Sequence, residues 1–172
     1  MNLLDECTLL GASLLGAQKL EFALYGVVSH LSHAYDGKKD KRFTELTPEQ
    51  FLRGSVDDLK LTLGQLEMAF GEKLLISNDD LKEFIKDRNL IAHNYWRLVK
   101  TNVNGAEKLE NPEEFLKRFI DKCEYWQSVL NGFLWLFMLE AAKKEGRIEE
   151  VTLSERQQSQ IMIYREHVEK NT

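Results

Sequence analysis

The run Arg88-Asn89-Leu90-Ile91-Ala92-His93-Asn94-Tyr95 holds the residue types in this chain best suited to chemistry. The imidazole of His93, with an ordinary pKa near ~6.5, can take up or release a proton close to neutrality. Arg88 offers a rigid fork of donors that matches phosphate oxygens. A proton carrier and a fixed cation five positions apart could act together on a phosphodiester, with Asn89 and Tyr95 supplying hydrogen bonds that orient it.

On an ideal helix, at about 100° per residue, Leu81, Phe84, Ile85, Ile91, Ala92, Leu98 and Val99 share one broad arc. Lys82, Lys86, His93, Arg97 and Lys100 form a basic stripe on the other side. Arg88 and Tyr95 fall inside the apolar arc, where an unpaired guanidinium is costly to bury, so Arg88 needs a partner or water. A purely structural reading is available for each residue: Arg88 ties a carboxylate across a bundle, Tyr95 is a core aromatic, and His93 is a solvated surface residue. A functional reading must also bring Arg88 and His93 together, because they diverge by about 140° on a regular helix. Helix distortion, a curled arginine, or residues from two subunits combining in one site would each do so.

The elements that must hold this run are helical throughout. Apolar residues recur every three or four positions from Leu3 to Tyr35, predicting a long first helix. The charged stretch Asp36–Arg42 reads as a loop, and Thr47-Pro48-Glu49-Gln50 reads as a capped helix start leading to a run that ends before Gly71. Ser77-Asn78-Asp79-Asp80 caps a third helix reaching about Val99, and Asn104-Gly105 favours a turn. Asn111-Pro112 opens a long fourth helix, whose apolar residues spread over more than one face. Residues 154–172 are expected to form a peripheral helix or a frayed tail. The expected fold is all-α: a single domain over 1–172, built as an up-and-down four-helix bundle with an additional C-terminal helix. The wide apolar face of the fourth helix points to a homodimer.

Composition narrows the function classes. A formal net charge of -5 argues against broad electrostatic capture of nucleic acid, so an RNA site must be local. Two cysteines, Cys7 and Cys123, are too few for a disulfide framework or a cysteine-based zinc site, and a reducing cytoplasm suits them. The N-terminal residues lack the features of a secretory signal, and the apolar stretch Val129–Met138 is too short to cross a bilayer. His30 and His33, with Asp36, are a weak metal-ligand set better explained as surface residues at a helix end.

Arg88-x4-His93 followed by Tyr95, with Asn89 beside the arginine, resembles the Arg-x4-6-His motif of the HEPN ribonucleases, in particular the Arg-x4-His-x-Tyr variant. The resemblance implies an all-helical dimer whose two motifs face each other across a cleft for RNA. It implies a metal-independent endoribonuclease without cofactor, in which Arg88 and His93 are catalytic and the 2′-hydroxyl of RNA is the nucleophile. Asn89 and Tyr95 would position the groups, and Lys86, Arg97 and Lys100 would hold the RNA backbone. In the toxin-antitoxin branch with this variant, the partner is a nucleotidyltransferase antitoxin that can adenylylate the motif tyrosine, which here is Tyr95. A different class stays open beside it: a non-catalytic HEPN-like module that dimerises or binds nucleotides.

Overall fold

The computed structural model describes residues 2–34, 75–100 and 108–171, with the side chains of 28–34, 78, 100 and 171 excepted. The expected loop over 36–42, the helix starting near Thr47, the Asn104-Gly105 turn, and the side chains of His30, His33 and Lys100 lie outside the described residues. Everything described is helix, turn or short connection, so the fold is all-α.

Helix α1 spans Leu3–Ala34. Asn2 caps it, its Oδ1 accepting from the Asp5 amide at 2.9 Å. Helix α2 (Asn78–Asn89) starts where Ser77 accepts from the amide of Asp80 at 3.1 Å. It runs on through a π-helical turn, Leu90–Asn94, into the short α3 (Tyr95–Lys100), so that the three pieces form one continuous rod. Helix α4 (Pro112–Lys144) has Pro112 in its first turn, where a missing amide is harmless, and Asn111 as its cap. It ends at Gly146, whose φ of 70° suits a residue without Cβ.

Contacts along the helices fix their directions. Arg88 meets Glu21 and Tyr95 meets Glu6, so the rod runs antiparallel to α1. Gly16 lies against Cys123 and Gly26 against Leu134, so α4 runs parallel to α1. Successive described helices therefore alternate in direction. The core between them is filled by Leu20, Leu24 and Val27 of α1, by Leu81, Phe84, Ile91 and Tyr95 of the rod, and by Phe115, Leu116, Phe119, Cys123 and Leu130 of α4. Phe84 and Phe119 stack with centroids 5.9 Å apart, adding ring contact to the apolar burial.

The C-terminal segment is a packed helix and not a frayed tail. Helix α5 (Glu155–Asn171) opens with a reciprocal cap between Ser154, just before it, and Gln157 in its first turn: the Ser154 amide donates to Gln157 Oε1 at 2.8 Å, and the Gln157 amide donates to Ser154 Oγ at 3.4 Å. It runs antiparallel to α4, burying Gln160 and Ile161. Trp135 Nε1 donates to Gln160 Oε1 at 2.9 Å, and Phe133 meets Tyr164 with centroids 5.9 Å apart. The approach is close enough that a Cβ on Gly132 would strike the backbone carbonyl of Gln160. Sequence periodicity missed this tight seam because α5 contributes few apolar residues and is held by polar and aromatic contacts as much as by aliphatic ones.

Candidate active site

The two sides of the rod have different surroundings. Toward α1, Arg88 is mostly buried, its side chain 19% exposed, and Nε donates to Oε1 of Glu21 at 3.2 Å. Its Nη1 donates to Oδ1 of Asn89 at 3.3 Å. Tyr95, 4% exposed, donates from its hydroxyl to Oε1 of Glu6 at 3.1 Å. Burial, followed by the hydrogen bond and charge of Glu6, pushes the Tyr95 phenol up to about 12. Lys82, Lys86, His93 and Arg97, the residues of the basic stripe, are all exposed.

The structural expectations for Arg88 and Tyr95 are thus met: each is tied to a carboxylate of α1. Neither acid was singled out in the sequence, since Glu6 and Glu21 sit in a helix with charged residues on several sides. The signal that could have found them is their fit to the stripe of Leu10, Leu20 and Leu24 that turns inward. Burial raises the Glu21 carboxyl despite the opposing charge and hydrogen bond of Arg88.

The π-helical turn begins two residues after Arg88 and includes His93. A π turn bonds i to i+5 and advances by about 80° per residue, so two α steps and three π steps leave these residues about 80° apart instead of about 140°. Helix distortion is therefore present along this run. It swings the imidazole toward the arginine's side of the rod without placing the two in contact. His93 is exposed, whereas Arg88 points to α1.

Lys86, Asn89, Leu90, Asn94, Arg97 and Leu98 line a shallow hollow on the rod. Two residues expected to touch RNA backbone, Lys86 and Arg97, therefore share one surface with Asn89. Arg88 and His93 are not among its lining residues. Trp96, 63% exposed, stands on the rod three residues beyond His93 and was not anticipated. Among the described residues no group of three or more His, Cys, Asp or Glu side chains could hold a metal ion, and no helix is long and apolar enough to cross a membrane.

No family model matches this chain, and the curated proteins and solved structures likewise gave no match. The functional reading consequently rests on the motif and its geometry.

Proposed function

We propose that the chain is a metal-independent endoribonuclease of the HEPN type, acting on RNA in the cytoplasm as the toxin of a toxin-antitoxin or defence system. The observation that carries this reading is the π-helical turn that follows Arg88 and includes His93, a rare backbone form concentrated at functional sites. It reduces the angular separation that a regular helix would impose on the pair.

In this mechanism His93 takes the proton of the 2′-hydroxyl as that oxygen attacks the adjacent phosphorus, and the 5′-oxygen leaves with a proton returned from the imidazole or from water. Arg88 stabilises the charge that builds on the phosphoryl oxygens. Asn89, bonded to Arg88, orients it, while Lys86, Arg97 and Lys100 hold flanking phosphates. A homodimer places two motifs along one cleft. The exposed Trp96 beside His93 supports such a contact surface, as exposed aromatics are enriched at subunit interfaces. Adenylylation of Tyr95 by a nucleotidyltransferase partner requires its hydroxyl to leave Glu6 and reach solvent, so an antitoxin acting there must first open this side of the bundle.

The chemistry is tested by the ends of the products. Cleavage of a single-stranded RNA should leave a 2′,3′-cyclic phosphate and a 5′-hydroxyl, and a single 2′-deoxy substitution at the cut site should block it. Products with 5′-phosphate ends contradict the mechanism.

The second reading, a non-catalytic HEPN-like dimerisation or nucleotide-binding module, draws support from the engagement of Arg88 and Tyr95 with α1. It predicts tight RNA or nucleotide binding with no strand scission. Growth arrest on expression that disappears with His93→Ala favours the nuclease instead.

A further inference from the structure

We propose that Glu21 is a positioning residue for Arg88, holding the guanidinium from α1 so that its remaining N–H groups meet a phosphodiester in one fixed orientation; this deepens the ribonuclease reading and rests on it. A free arginine side chain sweeps through many rotamers, few of which present its donors correctly to the reacting phosphate. Here two of its nitrogens are already fixed. Nε donates to Glu21 Oε1 at 3.2 Å, and Nη1 donates to Asn89 Oδ1 at 3.3 Å. Those two bonds leave both N–H groups of Nη2 and one of Nη1 without a protein acceptor, enough donors to bond two phosphate oxygens at once.

Glu21 is itself well placed to impose an orientation. Its side chain is 5% exposed, and it projects from the middle of a helix of 32 residues, so its position follows from core packing. The pair also joins the rod to α1 only two residues before the π-helical turn, where the backbone departs from regular helix. A carboxylate so close to Arg88 weakens simple attraction for a phosphate, because it offsets part of the cation's charge. Its contribution is therefore orientation, not ground-state affinity, and the two have opposite experimental signs.

The test compares the wild-type chain with Glu21→Gln and Glu21→Ala, each corrected for its folded fraction. Glutamine still offers an oxygen to Nε, so E21Q should keep kcat for single-stranded RNA within about threefold, whereas E21A should lose about tenfold or more through misorientation. Binding of an uncleavable 2′-O-methyl oligonucleotide should be unchanged or tighter in both variants. In the 15N spectrum, the Arg88 Nε–H cross-peak should be sharp in wild type and E21Q, broad in E21A, and shifted by the oligonucleotide in wild type. An unchanged kcat in E21A, oligonucleotide binding that weakens in step with kcat, or a broad Arg88 peak in wild type overturns the proposal. A wild-type chain that shows the ordered, oligonucleotide-sensitive peak yet cuts no RNA bears out the positioning and sinks the ribonuclease reading alone.

Discussion

Arg88 donates from Nε to Glu21 Oε1 at 3.2 Å, which ties the candidate phosphate ligand to the middle of α1. One residue therefore serves both the fold and the proposed site, and the two roles need separate tests.

Arg88→Ala should be destabilising as well as inactivating. It leaves the Glu21 carboxylate buried without its cation, and breaking a pair of this kind costs roughly 2–3 kcal/mol where one partner retains some exposure. The double variant Glu21→Gln with Arg88→Ala should recover much of that stability while remaining inactive. Urea unfolding of both proteins measures the difference, and equal midpoints would show that the buried charge is not what the single variant suffers from.

The acid dependence of stability has a definite sign. Burial, and secondarily the charge of Glu83, raises the Asp87 carboxyl above its ordinary 3.8, so the folded chain binds that proton more tightly than the unfolded chain does. Its contribution is greatest below the ordinary value and is lost as pH rises through the folded-state value. Glu21, raised by burial, acts in the same direction. Asp87→Asn should thus be more stable than wild type at neutral pH, with the gap closing toward about pH 4. A gap that widens on acidification would reverse the assignment.

At the seam between α4 and α5, Gly132→Ala should destabilise the fold through overpacking by roughly 1–3 kcal/mol, read as a lower melting temperature, since the obstructing atom is the Gln160 carbonyl and backbone cannot step aside. Amide hydrogen exchange should locate the loss in α5. Faster exchange spread evenly over α1 and the rod would mean that the seam is not the weak point.

Cysteine labelling checks the core directly. Cys7 is exposed, whereas Cys123 is buried with its thiol pushed up to about 12, by burial first and then by the charges of Glu21, Asp87 and Glu124. A thiol alkylating reagent should modify Cys7 in the native chain and Cys123 only after unfolding. Rapid native labelling at Cys123 would show that the interface between α1 and α4 opens readily.

The helices around the motif were legible because their boundaries are marked chemically. Ser77, Asn111 and Pro112 stand where helices begin, and the apolar arc of the rod turns to the core through Leu81, Phe84 and Ile91. The need of Arg88 for a partner was also legible, because a guanidinium inside an apolar arc has few alternatives. The partner's identity was not, since pairing Glu21 with Arg88 joins residues 67 apart in sequence, a relation set by tertiary packing alone. The π-helical turn was equally hidden: Leu90 to Asn94 contains neither Gly nor Pro, and side-chain periodicity assumes the regular rise that such a turn interrupts. The firm docking of α5 escaped notice because Gly132 shows its purpose only once another backbone lies against it.

The most direct test of the ribonuclease account is the rate at which the purified chain cuts single-stranded RNA in EDTA, measured beside His93→Ala. His93 is exposed and outside the core, so the variant should unfold at the same urea concentration as wild type. Wild type should cleave without metal, and the variant should lose at least about a hundredfold, the scale of a general acid–base group. Equal cleavage by the two proteins would contradict it.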